Sequence, residues 1–153
     1  MSSVLLQKPS VYYGVRQFTI FLDKKNTLLN TVLTSIHENG LTLIAFSSNE
    51  TYDYLILRIV TNYADKLVAL LKSKNIYFSE QLVLAAEFLH SDDIAKIVDT
   101  ISSAEIGINY FYPLLSCQNN KLGLILSVED IDLASKALSQ SGITIISQNE
   151  IDR

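Results

Sequence analysis

The residues able to do chemistry in this chain are few and scattered. Cys117 stands beside Gln118-Asn119-Asn120 at the end of a hairpin strand, with no histidine near it in sequence. A half-buried structural thiol is the plainer role for such a residue. His37 lies on the polar side of a helix and His90 opens a strand-to-helix loop, so two isolated histidines and one cysteine give no zinc-ligand spacing. Asp92-Asp93 is a carboxylate pair, yet it opens a helix, where Ser91 and two acids are expected as cap and dipole partners. The five glycines, at 14, 40, 107, 123 and 142, never cluster into a phosphate loop. Tyr110 and Tyr112 flank Phe111 on a strand and share one side of a sheet, for core or interface packing or for lining a pocket. Catalysis has no candidate here, and no cofactor or metal is expected.

The composition narrows the classes further. Of 153 residues, 48% are hydrophobic and 18% charged, enough apolar surface to offset ordering entropy, so disorder is excluded. One cysteine excludes a disulfide scaffold and suits a reducing cytoplasm. No basic start leads into a long apolar run, and every apolar stretch is interrupted before the roughly 18–20 residues a membrane span needs. A net charge of -4 argues against nucleic acid as partner.

The elements that must position these residues occur twice. Gln17 to Leu22 reads as a strand, and Leu29, Val32, Leu33 and Ile36 form one helical stripe ended by Asn39-Gly40. Leu41 to Ser47 and Tyr54 to Thr61 read as a strand pair. A helix with Ala64, Leu67, Val68 and Leu71 stops at Asn75, and the strand Ile76 to Gln81 closes the unit. The order then repeats: strand Leu82 to Phe88, helix stripe Ile94, Ile97, Val98 and Ile101, strands Ile106 to Ser116 and Lys121 to Glu129. Asn119-Asn120 forms the turn between that pair. A helix with Ile131, Ala134, Ala137 and Leu138 follows, then Gly142 and a strand from Ile143 to Ser147. Ile94 follows Leu29 by 65 positions and Leu138 follows Leu71 by 67, a period that suits a duplicated small domain.

Each β-α-β-β-α-β unit is ferredoxin-like, so the fold class is α+β: two tandem units, each a four-stranded antiparallel sheet with both helices on one face. Right-handed crossovers put the first and third strands in the middle of each sheet. The expected organisation is an N-terminal extension at 1–14, a first unit at 15–81 and a second at 82–153. The join between the units has no Gly, Pro or polar run, so the two are expected to lock together. Residues 1–14, with Pro9, Tyr12 and Tyr13, have no counterpart in the second half; they are a frayed tail or an arm covering an edge or dimer seam.

Four stretches carry a resemblance to a known family. Asp53 to Val60 looks like the third strand of an ACT domain, as does Gly123 to Asp130. Glu105-Ile106-Gly107-Ile108-Asn109-Tyr110-Phe111-Tyr112 resembles the family's step from first helix to second strand, and Ser141 to Ser147 resembles its closing segment. The similarity runs from about Val15 to Arg153, in register in both units and with no catalytic domain attached. It implies a stand-alone, non-catalytic module that binds a small ligand, usually an amino acid, and regulates an enzyme partner. The implied ligand-binding residues are Asp23, Lys24, Lys25, Asn26 and Thr27 in the first strand-to-helix loop. His90, Ser91, Asp92 and Asp93 are those of the second, with Tyr110 and Tyr112 on the sheet. Asn26-Thr27 and Asp92-Asp93 stand where the family usually carries Pro-Gly, and Glu105 where it has a helix-ending Gly. A dimerisation or docking scaffold without ligand is therefore the alternative. Leu41-Thr42-Leu43-Ile44-Ala45-Phe46 holds no charge, and such an edge strand is expected to be covered, here in a two-fold homodimer.

Overall fold

The computed structural model describes residues 14–25 and 28–152. Expectations for Met1 to Tyr13, for Asn26 and Thr27 and for Arg153 lie outside the described residues. The elements are β1 (Val15–Asp23), α1 (Leu28–Glu38), β2 (Leu43–Glu50), β3 (Tyr54–Thr61), α2 (Ala64–Ser73) and β4 (Phe78–Phe88). They continue with α3 (Asp93–Ser103), β5 (Ile108–Pro113), β6 (Leu122–Val128), α4 (Ile131–Gln140), β7 (Thr144–Ile146) and α5 (Gln148–Ile151).

The four long helices stop in one way. In each, the residue after the last turn is left-handed: Gly40 at φ 74°, Asn75 at 56°, Glu105 at 60° and Gly142 at 85°. The next residue, Leu41, Ile76, Ile106 or Ile143, donates its N–H back to Ile36, Leu71, Ile101 or Leu138, at 3.0–3.2 Å. All four of these apolar residues are buried, so each stop also anchors the chain to a core. Glu105 is the one stop that is neither Gly nor Asn. Glu105→Gly is expected to stabilise the protein by about 1 kcal/mol, by relieving a left-handed conformation that costs an L-residue roughly that much. A urea titration would measure the gain, and a loss of stability would contradict it.

The sheet order is β2-β3-β1-β4-β6-β5, with β7 on the other side of β4. The first unit runs β2-β3-β1-β4 and the second β5-β6-β4-β7, all antiparallel, with first and third strands inside. Even the irregularities repeat. The register slips between Leu43 and Ala45 in β2 and between Ile108 and Tyr110 in β5, 65 positions apart.

The two strands expected at Ile76–Gln81 and Leu82–Phe88 are one. β4 pairs with β1 from Phe78 to Val83 and with β6 from Leu84 to Phe88, without interruption. Nothing in its sequence breaks a strand, and its even-numbered residues face helices in both units: Phe78 in the first, Leu84, Ala86 and Phe88 in the second. The β5 strand is shorter than expected: after Pro113 one more bond reaches β6, Leu114 N–H to Gly123 O at 3.0 Å, and Leu114 and Leu115 then turn to β2. Asn119 and Asn120 turn the chain, both at φ 59°. The last strand is also short, because Ser147 caps α5 in a capping box with Glu150.

Three clusters form the core. One lies between the first sheet and α1 and α2, centred on Phe18, Ile20, Ile59 and Leu67. The second lies between the other sheet and α3 and α4, around Leu84, Ile97, Ile101 and Leu126. The third joins the opposite faces of both sheets, with Val15, Ala45, Val60, Val83, Ala85, Tyr112, Ile125 and Ile146. Helices therefore cover the outside and the sheets meet face to face, hiding the surface a lone unit would expose. Polar bonds close the seam. Arg16 N–H donates to Gln148 Oε1 at 2.9 Å and Tyr63 N–H to Asp152 Oδ1 at 2.7 Å, tying α5 to the first unit. The charge-free edge is met within the chain: Ala45 bridges Leu114, and Leu115 N–H donates to Ile44 O at 2.8 Å. Leu41 and Thr42 lie outside the strand, with Leu41 in the first core.

Candidate functional site

The two strand-to-helix loops differ in what satisfies them. In the first, Asp23 Oδ1 accepts the Lys25 N–H at 2.8 Å, and Lys24 Nζ reaches Glu50 Oε2 on β2 at 2.8 Å. That hydrogen bond, with the attraction of the ammonium, holds the Glu50 carboxyl below its ordinary range. A depressed carboxyl contributes above its unfolded pKa and loses the contribution as pH falls through its folded one. Lys24→Met is accordingly expected to return the Glu50 titration, followed by carboxyl NMR, to the ordinary range. An unchanged titration would deny the pairing. The first turn of α1 holds no acidic residue, so Lys24 and Lys25 are the nearest charges N-terminal to that helix.

The second loop is closed by its own acid. Asp93 Oδ2 accepts the His90 N–H at 3.1 Å and the Leu89 N–H at 3.3 Å. Ser91 and Asp92 accept none of these N–H groups, so of the expected cap only Asp93 acts, while both acids stand at the helix start as the expected dipole partners. Asp92 is already helical, at φ −63° and ψ −23°, and its side chain makes no cap bond. The Ser91 carbonyl accepts the Ile94 N–H at 3.1 Å. A ligand carboxylate at this loop would meet Asp93 where it needs free donors.

Tyr110 and Tyr112 belong to the seam between the sheets, and their polar partners come from neither loop. Their rings stack at 6.4 Å between centroids. Tyr112 O–H donates to Gln17 Oε1 at 2.6 Å, and Gln17 Nε2 donates to Tyr110 Oη at 2.8 Å and to Gln81 Oε1 at 3.1 Å. The Arg58 guanidinium lies 4.0 Å from the Tyr110 ring centroid, a cation–π contact. Burial, with Tyr110 beside it, pushes the Tyr112 phenol above its ordinary range. Gln17, wholly buried at the centre of this network, was missed in the sequence because Gln17 and Thr19 alternate with Phe18 and Ile20 like a solvent face. No group of three His, Cys, Asp or Glu among the described residues could hold a metal, and none of their helices is long and apolar enough to cross a membrane.

A tandem ferredoxin-like pair with such loops matches a family model described as an ACT domain pair, over residues 13–152. The chain belongs to that family. This ACT domain pair superposes on a solved protein of Bacteroides thetaiotaomicron with a TM-score of 0.82 at 20% identity, covering 92% of this chain and 97% of that one. It also resembles the ligand-free regulatory subunit of aspartate kinase from Thermus thermophilus, with a TM-score of 0.59 at 12% identity and coverage of 87% and 95%. The corresponding subunit from Thermus flavus gives 0.54 at 12% identity, covering 86% and 94%. At such identities the likeness is one of fold. No curated protein matches the sequence significantly.

Proposed function

We propose that this ACT domain pair is a non-catalytic regulatory module that binds a small amino acid at the first loop, Asp23 to Thr27, and alters its association with an enzyme partner in the cytoplasm. The observation that carries this reading is the contrast between the loops. The start of α1 has Lys24, paired with Glu50, and Lys25 before it, with Asp23 turned onto the Lys25 N–H and no acid in the first turn, which leaves Lys25 as the charge that favours a carboxylate there. The matching place in the second unit is filled by Asp93. Regulatory subunits of aspartate kinase share the fold, which supports a regulated enzyme as partner.

Thermal shift and calorimetry against the common amino acids test the reading. A ligand at a hundred times its dissociation constant adds about 2.7 kcal/mol of stability, well within reach of a melting curve. Silence across the set at millimolar concentration would sink it. The Asp93 closure favours a second reading, a docking scaffold whose loops no longer take ligand. That scaffold predicts a dimer indifferent to amino acids and partner binding unchanged by Asn26→Ala. The homodimer itself is proposed on the part of β2 that stays outside the bridge to Leu114, Phe46 to Glu50. A monomer at micromolar concentration in light scattering would refute it.

A further inference from the structure

A cleft of about 370 Å³ opens where the hairpin loop between β5 and β6 crosses the seam between the sheets. Glu87, Lys121, Cys117, Gln118 and Asn119 line it, with an apolar wall that includes Ile44 of the first unit and Ile146 of the second. Its volume falls at the lower end of the range for small-molecule sites, which is about 300–1,000 Å³.

Glu87 is the acid that enters this cleft from the sheet. It follows Val83 and Ala85 on the face of β4 that builds the core between the sheets. In the first copy the equivalent pair is a half-exposed Phe21 opposite Ile56, whereas here Glu87 stands opposite Gly123 and is largely covered. The Glu87 side chain is only 18% exposed, and its one ion-pair partner, Lys121 Nζ, lies 3.9 Å away. That separation is too long for a hydrogen bond. No hydrogen bond to its carboxylate is present among the described residues, nor any from the Lys121 ammonium. The carboxylate is largely covered by the cleft yet keeps contact with water and accepts no direct bond from the described residues, so a bound ammonium group would find a free acceptor there. Glu150, also in the cleft wall, already accepts from the Ser147 N–H and hydroxyl, so it does not compete.

We propose that this cleft is a second ligand site, for an α-amino acid with an aliphatic side chain. Its ammonium sits on Glu87, its carboxylate on Lys121, and its side chain on Ile44 and Ile146. The ligand class is that of the function proposed above, but the site is independent of the loop after β1. Because the wall draws on both units, an occupied cleft clasps them together, as a signal passing between them requires.

Cys117 provides the reporter, being the chain's only cysteine and part of the cleft lining. Burial first, then the Glu87 charge, push its thiol up, so alkylation by iodoacetamide in mildly alkaline buffer is slow but measurable. The rate is followed by mass spectrometry with and without leucine, isoleucine, valine or alanine. A ligand at ten times its dissociation constant should slow alkylation about tenfold, the ratio set by simple occupancy. Glu87→Gln and Lys121→Met should each bring that ratio back toward one, compared within each variant because losing Glu87 alone speeds the reaction. Protection that survives in both variants would overturn the site. So would the absence of protection while calorimetry records binding; the loop reading would then stand. If calorimetry is silent as well, both proposals fall.

Discussion

Gln17→Leu is expected to lower the free energy of unfolding by about 3 kcal/mol, because leaving buried polar partners unpaired costs roughly 1–3 kcal/mol per group. Gln17 has no exposed surface, and its amide joins four groups: the hydroxyls of Tyr110, Tyr112 and Thr19 and the carbonyl oxygen of Gln81. The substitution replaces a hub by an apolar side chain of similar size. It strands the Tyr112 hydroxyl, which is buried against the other sheet. Tyr112→Phe removes that hydroxyl, so the double variant should cost less than the two single ones added together. Urea unfolding followed by far-ultraviolet circular dichroism would give all three values. A Gln17→Leu cost below about 0.5 kcal/mol, the scale of an ordinary surface change, would show that the network contributes nothing to holding the sheets together.

Ile97→Ala is expected to cost about 2–5 kcal/mol and, unusually for a two-unit chain, to be felt throughout. Ile97 is fully buried between α3 and the second sheet, so its truncation leaves a cavity in that core. The same is expected of Leu67→Ala under α2 in the first core. Because β4 runs unbroken from one sheet into the other and a shared core joins their faces, neither unit can open without exposing apolar surface of the other. Amide exchange reads this directly. At a cost of 3 kcal/mol, Ile97→Ala should speed the slowest amides of β3 and of β6 alike by roughly a hundredfold. Exchange accelerated in β6 alone would mean that the units open separately.

Much of the fold was legible because local rules repeat. The stripes at Leu29–Ile36 and Ile94–Ile101, the stops at Gly40, Asn75 and Gly142, and the period near 66 all follow from helix geometry and left-handed preference. The face-to-face pairing was harder to place, since a buried second face looks like a solvent face when it carries Gln17 and Thr19. A signal for α5 was present in Ser147-Gln148-Asn149-Glu150, a capping-box spacing hidden by the apolar run before it. The loops were least legible. Nothing in the order Ser91-Asp92-Asp93 says which acid turns back on the chain, because that depends on where the helical dihedrals begin. Glu87 reads in sequence as one polar residue near the end of a strand, and only the opposed sheets and the β5–β6 loop bring it into a cleft.

The continuous β4 strand also bears on how such a chain can be inherited. The repeat in the sequence invites a division between Gln81 and Leu82, where two ancestral copies would have been joined. In the folded protein that point is the middle of a strand whose two halves complete different sheets. A recombination event there would set each unit against a foreign copy across the shared core and the unbroken strand, both of which need matched partners. The duplication can therefore be copied, lost or fused to another gene as a whole, while exchange of one half for a foreign copy is penalised. The pair, not the domain, is the piece that evolution can move.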